Sequence, residues 1–258
     1  MPMSKYYFLT VSLPPLTLAE RPDITFEELS FRLEVNLTKA DLRKTEVLRR
    51  FVDISNIRAL WQEEKIDPRG NLNEKELDEA LLVGSILPDY VFDFIDQFEK
   101  TSGRIKNFSG LLARFFTEET LKQKGFLKKY LCFEREWRLV LVGLRAKQLG
   151  RDVGKELQFE DFSDPLVAHI LAQKDSDRYE PPAEYAELKG ILDSCAYDPW
   201  EEHKAIVGWR FRKIADMAEG NFSIDQVLAY MAQLMLVEYW HELDEGKGRM
   251  ILDTFKTG

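Results

Sequence analysis

The chain has 258 residues with 45 acidic and 36 basic side chains, which give a formal net charge of −9. This balance argues against a nucleic-acid-binding protein, which needs a basic surface to neutralise phosphates. Hydrophobic residues make up 45% of the chain and charged residues 31%, so we expect a globular protein with one large domain or two smaller ones.

The first elements in chain order are an ambiguous segment and a long helix. Residues 5–13 are rich in aromatic and β-branched side chains, a composition that fits either a helix or a strand. Apolar residues at steps of three and four then predict an amphipathic helix over residues 41–66. Pro68 disfavours a helical conformation at Asp67 and is predicted to end this helix.

Two short helices are predicted next. Asn73 is a candidate N-cap, and Glu76 stands three residues later, as in a capping box. The helix that follows has Leu77, Leu81 and Leu82 as its apolar residues. A second short helix is predicted to begin at Pro88 and to end at the Ser102–Gly103 pair.

A long helical segment is predicted over residues 108–149, with a possible cap at Thr117. The apolar run 139–142 also fits a buried strand, but helix-forming residues on both sides favour a helix. Gly150 is a natural position for the end of the helix.

The C-terminal part is also predicted to be helical. Residues 175–185 are polar, contain two consecutive prolines and are the best candidate for a linker. Helices are predicted over residues 185–194 and 199–218, and a last helix begins at Ser223. The fold class is therefore all-α, or mainly α.

Three helices carry a similar local string, in which a bulky apolar residue precedes a basic or imidazole side chain near a carboxylate. The strings are Asp53–Arg58, Phe133–Arg138 and Leu236–His241. Such similarity is typical of stacked modules, although coincidence among amphipathic helices explains it equally well. We expect a single helical domain over residues 1–258. Its modules are predicted at 1–100, 101–174 and 186–258.

Motifs that carry chemistry are not found in the sequence. It contains no glycine-rich phosphate loop of either standard pattern and no HExxH. A weak calcium-loop pattern at residues 65–76 fails because Lys65 and Arg69 place cations where the ion needs oxygen ligands. We predict no catalytic residue, no metal site and no cofactor, and a helical enzyme remains the less favoured alternative.

Several strings resemble the C-type central-stalk family of V/A-type ATPases, whose eukaryotic equivalent is the d-type stalk protein. They are Lys128–Arg138, Leu144–Gly150, Ala229–Met231, Glu238–Trp240 and Asp53–Arg58. The N-terminal strings Tyr6–Leu9 and Ser12–Leu16 resemble a bacterial family of uncharacterised proteins whose genes tend to lie among V/A-type ATPase genes. Glu136 and Tyr239 stand where the central-stalk pattern usually has Asn.

The resemblance implies a funnel-like body of three helical modules without an active site. Such a protein is non-catalytic and couples the rotor shaft to the membrane ring during ATP-driven ion transport or ATP synthesis. Its partners are the central shaft subunits and the membrane rotor ring, and its location is cytoplasmic, peripheral to the inner membrane. The alternative is a helical adaptor or scaffold in an unrelated cytosolic complex.

Candidate partner contacts are aromatic or basic side chains on the predicted helices. They are Trp137, Arg145, Lys147, Arg151 and Trp240. The three basic residues form a potential patch for acidic helices, but they also fit solvated charges that complement the dipole at a helix C-terminus.

Overall fold

A computed structural model describes residues 5–195 and 198–243. Every regular element within these ranges is helical, so the predicted all-α class is confirmed. The described residues divide into two compact units, one formed by residues 5–42, 182–195 and 198–243 and the other by residues 43–181. None of the described helices has the length and apolar character needed to cross a membrane. The three-module division stays a prediction.

The first unit combines the N-terminal and C-terminal parts of the described residues. Its helices are α1 (Tyr7–Ser12), α2 (Phe26–Asn36), the first residues of α3 (Lys39–Trp61), α11 (Ala186–Ser194), α12 (Pro199–Asp216) and α13 (Ile224–Glu242). Helix α13 packs against α2 and α12, and α11 packs against α12. Leu29, Trp209 and Val227 are fully buried in its core. Within the ambiguous segment 5–13, residues Tyr7–Ser12 form a helix, α1.

The second unit is built around two long neighbouring helices. After the rest of α3 it contains α4 (Glu74–Val83), α5 (Asp89–Ile95), α6 (Thr101–Lys106), α7 (Phe108–Lys122), α8 (Gly125–Gln148), α9 (Val153–Glu156) and α10 (Pro165–Ala172). Helix α7 packs against α5, α6 and α8, and α8 also packs against α9 and α10. The apolar run 139–142 is thus helical.

Several predicted helix boundaries are confirmed by their hydrogen bonds or dihedral angles. The Glu76 backbone N–H donates to Asn73 Oδ1 at 3.0 Å, and the Asn73 N–H donates to Glu76 Oε2 at 3.0 Å. These two bonds are the predicted capping box. Gly150 follows α8 with a φ of 63°, and Pro88 precedes α5 as its N-cap.

Three predicted boundaries are wrong. Helix α3 ends at Trp61, before Pro68 can act on it, and the Ser102–Gly103 pair lies inside α6. Thr117 lies inside α7, and the break between α7 and α8 falls at residues 123–124. Gly125, with a φ of 58°, supplies the left-handed residue at this break. Packing of α7 against its neighbours outweighs the local capping preference of Thr117.

Candidate functional site

Two buried polar side chains of α3 hold the following loop, and we call Asp53, Asn56 and loop 67–72 the α3 anchor. Asn56 Nδ2 donates to the Asp67 carbonyl at 2.8 Å, and the Asp67 N–H donates to Asn56 Oδ1 at 2.8 Å. Asp53 accepts from Asn71 Nδ2 at 2.7 Å and from the Leu72 N–H at 3.1 Å. These four bonds hold the loop against the helix.

Two further features shape the α3 anchor. A Cβ atom on Gly70 would lie 2.4 Å from Asp53 Oδ1 and 3.2 Å from Asn56 Nδ2, so the loop approaches the helix where only glycine fits. Burial raises the pKa of the Asp53 carboxyl above its ordinary value of 3.8, and the hydrogen bonds from Asn71 and Leu72 oppose this shift. Because Asn71 and Leu72 donate to its two oxygens, the Asp53 carboxyl group holds the loop and has a structural role.

A second buried cluster lies on α8, within the string that resembles the central-stalk family. Trp137 Nε1 donates to Glu134 Oε2 at 3.2 Å, and Arg138 forms an ion pair with the same carboxylate. The Arg138 guanidinium lies 4.5 Å from the Trp137 ring centroid and 4.7 Å from that of Phe51. Cation–π contacts and a charge-assisted hydrogen bond thus join α8 to α3 inside the second unit.

A third buried carboxylate, that of Glu119 on α7, is also held by partners within the second unit. Glu119 is 1% exposed, and it accepts from Arg50 Nη1 at 2.9 Å and from the Tyr90 hydroxyl at 3.3 Å. Burial, together with the nearby Glu119 charge, raises the pKa of Tyr90, so this hydroxyl stays protonated and donates a hydrogen bond to Glu119.

The second unit has a small cavity of about 110 Å³ that α7, α8 and the segment 156–160 line. Its walls include apolar side chains such as Phe116 and Leu139. The Arg135 side chain, which also lines it, donates to Glu160 Oε2 at 2.7 Å and to Asp164 Oδ2 at 2.9 Å. Because these carboxylates already neutralise the guanidinium, we assign the cavity no role in binding an anion.

The predicted contacts on and just after α8 have different environments. Trp137 is 8% exposed and serves the Glu134 cluster. Lys147 Nζ donates to the carbonyls of Lys174 and Ser176, the latter at 2.7 Å. Arg151 Nη1 lies 3.6 Å from Glu156 Oε1 on a largely exposed side chain, and Arg145 is exposed on α8. The structure thus gives Trp137 and Lys147 structural contacts, and the partner role of all four stays a prediction.

The fifth predicted contact, Trp240, belongs to the first unit. Its ring centroid lies 5.0 Å from that of Trp200 and 5.9 Å from that of the His203 ring. The side chain is half-buried. It therefore contributes to aromatic packing between α12 and α13, and its role as a partner contact stays a prediction.

Sequence reasoning missed an exposed apolar group at the end of α4. We call Leu82, Val83 and Ile86 the α4 apolar cluster, and their exposed fractions are 80%, 68% and 76%. Leu77 and Leu82 are both apolar residues of this helix, but Leu77 is buried and Leu82 is exposed. The signal available in the sequence was the run of three aliphatic residues at 81–83, which is wider than one buried helical face requires.

Within residues 5–195 and 198–243, no three His, Cys, Asp or Glu side chains are grouped suitably for a metal ion. The polar clusters described above instead bind groups of their own unit. By its fold the described part of the chain belongs to the all-α class.

Comparison with known proteins shows the family. Residues 3–258 match the model of a family described as "Protein of unknown function (DUF2764)", and the chain belongs to this family. An uncharacterised protein of Chlamydia muridarum (strain MoPn / Nigg) is 28% identical over 263 residues, which cover 99% of each chain. An uncharacterised protein of Chlamydia pneumoniae is 30% identical over 258 residues, which cover 97% of each. No solved structure matches the chain.

These matches correct the resemblance to the central-stalk family of the V/A-type ATPases. The family that covers the chain is a different one, and no match to the central-stalk family supports that identification, which is therefore wrong. Membership of an uncharacterised family is confirmed. The string Lys128–Arg138 misled because its Glu134–Trp137–Arg138 arrangement forms a packed helix core, and amphipathic helices of unrelated families meet the same packing demand.

Proposed function

We propose that the chain is a non-catalytic helical protein that acts by binding other proteins. The observation that carries this proposal is the α4 apolar cluster, three bulky aliphatic side chains exposed within five residues of chain. Single exposed apolar residues are ordinary, whereas a local group of them is typical of an interaction surface.

The environment of the polar groups favours binding over catalysis. Asp53, Glu119 and Glu134 are buried carboxylates that accept hydrogen bonds from groups of their own unit. A catalytic acid or base must instead reach a substrate from a concave site. Arg135 at the cavity is likewise paired with two carboxylates. A helical enzyme therefore remains the weaker alternative.

The assembly to be tested first is a V/A-type ATPase, as a proposal about partners and not about family membership. In that assembly the chain couples the shaft subunits to the membrane rotor ring and lies at the cytoplasmic side, peripheral to the inner membrane. An all-α body with an exposed apolar cluster is compatible with this role. It is equally compatible with the alternative of an adaptor in an unrelated cytosolic complex.

Affinity isolation of the full-length chain from its native cells, in mild detergent and with quantitative mass spectrometry, separates these possibilities. We expect shaft and ring subunits at near-stoichiometric amounts, and recovery of the chain with a tagged shaft subunit in the reverse experiment. A reproducible set of unrelated proteins would support the adaptor and contradict the ATPase. A chain recovered without any partner in both directions would contradict the binding function itself.

A further inference from the structure

The negative charge of the chain is concentrated in one segment. Residues 74–99 carry eight acidic side chains and one basic side chain, a formal charge of −7 out of −9 for the whole chain. All eight acidic side chains are exposed. They are Glu74, Glu76, Asp78, Glu79, Asp89, Asp93, Asp96 and Glu99. The rest of the chain is nearly neutral, so this charge marks a local feature.

None of these eight carboxylates forms an ion pair within the described part of the chain. The contrast with Glu119, Glu134 and Glu160, which all pair with arginine, is clear. Carboxylates that repel one another without internal compensation raise the affinity for a positively charged partner.

The α4 apolar cluster lies within this acidic segment. Residues three and four apart are neighbours on a helix, so Asp78 and Glu79 flank Leu82 and Val83. Gly84 ends α4 with a φ of 70°, and Ile86 follows with a φ of 71°. A β-branched side chain seldom adopts this left-handed conformation, and here it remains 76% exposed instead of turning inward. Three aliphatic side chains are thus bordered by carboxylates that form no ion pair in the described chain.

The exposed aliphatic side chains and the carboxylates beside them together indicate which kind of partner could cover the cluster. Anionic lipid headgroups and nucleic acids would be repelled by the carboxylates. A neutral apolar partner would leave the carboxylates uncompensated. A helix with one apolar face and flanking lysine or arginine side chains complements both the aliphatic side chains and the carboxylates. Its apolar residues cover the cluster, and its cations pair with Asp78 and Glu79.

We propose that the α4 apolar cluster and its flanking carboxylates form a docking surface for a basic amphipathic helix of a partner protein. The proposal rests on the proposed function, that the chain binds other proteins, and specifies the chemistry of the partner. The partner segment supplies apolar residues at helical spacing and a positive charge beside them.

Titration of the full-length chain with synthetic peptides tests this surface by fluorescence anisotropy. The first peptide is a leucine–lysine amphipathic helix of about 18 residues, which is five helical turns. The second has the same composition in an order without an apolar face, and the third replaces each lysine by glutamate. We expect the first peptide to bind at least about tenfold more tightly than the second, and the third not to bind.

Variants of α4, each with a matched control variant of α2, test whether the peptide binds at α4. Leu82→Gln with Val83→Gln should weaken binding of the first peptide by about tenfold or more. Phe31→Gln with Val35→Gln alters a comparably exposed apolar pair on α2 and should leave the affinity unchanged. Asp78→Asn with Glu79→Gln should weaken binding about three- to fivefold at low salt, and Glu27→Gln with Glu34→Gln on α2 should not.

Four results would overturn the proposal. The first is no binding of the amphipathic basic peptide, and the second is equal affinity for the two basic peptides. The third is an unchanged affinity of the α4 variant. The fourth is loss of self-association by that variant in sedimentation velocity, which would assign the surface to a second copy of the chain. If partners are recovered from cells by wild type and by the α4 variant alike, the proposed function stands and only this surface is wrong.

Discussion

The α3 anchor and the α4 apolar cluster involve consecutive helices and differ in which side chains they bury. The anchor buries polar side chains, whereas the cluster exposes aliphatic ones. In the anchor, the polar groups of Asp53 and Asn56 are buried and bonded to loop 67–72. At the end of α4, aliphatic side chains are exposed and the neighbouring carboxylates have no ion pair within the described chain. Polar groups inside the fold are thus used for stability, and those around the cluster remain available to a partner.

The largest effect on stability is expected at Gly70, where the α3 anchor has no space for a side chain. Gly70→Ala places a Cβ atom against Asp53 Oδ1, whose position is fixed by its bond to the Leu72 N–H. We expect the free energy of unfolding in urea to fall by about 2 kcal/mol.

The control for this substitution is Gly190→Ala in α11, where a new Cβ atom meets nothing within 4 Å. That variant should be more stable by about 0.5–1 kcal/mol, because alanine favours the helix. Equal effects of the two substitutions would contradict the close approach in the anchor.

A smaller effect of opposite sign is expected at the α4 apolar cluster. Ile86→Gly removes the strain of a β-branched residue at a φ of 71°, and the free energy of unfolding should rise by about 1 kcal/mol. Binding of the basic amphipathic peptide should weaken at the same time. Ser85→Gly, next to it but without a positive φ, should not stabilise the chain, and an Ile86→Gly variant less stable than wild type would show that Ile86 carries no strain.

The pH dependence of stability should distinguish the anchor carboxylate from an exposed one. Because burial raises the pKa of folded Asp53 above 3.8, its stabilising contribution is full below pH 3.8 and falls as the pH rises through the folded pKa. Urea unfolding of wild type and of Asp53→Asn should be measured across this range. The stability of wild type relative to Asp53→Asn should fall as the pH rises. The exposed Asp93→Asn serves as the charge control, and a pH-independent difference for Asp53→Asn would contradict this role.

The smallest effect on stability is expected for the variant designed to lose binding. Leu82→Gln with Val83→Gln introduces glutamine, which has good helix propensity, at the last turn of α4. Neither wild-type side chain is buried. The free energy of unfolding should change by less than about 0.5 kcal/mol. A cooperative loss well beyond this value would mean that the cluster packs within the fold and does not form a binding surface.

Local signals in the sequence predicted the parts of the fold that depend on neighbouring residues. The Asn73–Glu76 capping box and the helix after Pro88 depend on groups only a few residues apart, so the local sequence is enough to predict them. Thr117 and the Ser102–Gly103 pair misled because packing of α6 and α7 overrides a weak local preference for a helix end.

The buried polar pairs could not be predicted from the sequence, because they join distant parts of it. Glu119 meets Arg50 across 69 positions, and Glu238 accepts from the Phe26 N–H across 212. All three repeated strings contain a carboxylate that binds within its own unit, namely Asp53, Glu134 and Glu238. Their similarity therefore fits a shared packing requirement, which explains why it suggested a family that the comparisons do not support.

Hydrogen exchange of the full chain, with and without the basic amphipathic peptide, tests the α4 docking surface most directly. We predict slower exchange at the end of α4 and through residues 84–87 when the peptide is bound, with no change in loop 67–72 or in α2. Protection confined to α2, or to any region that leaves α4 unchanged, would contradict the assignment of partner binding to the α4 apolar cluster.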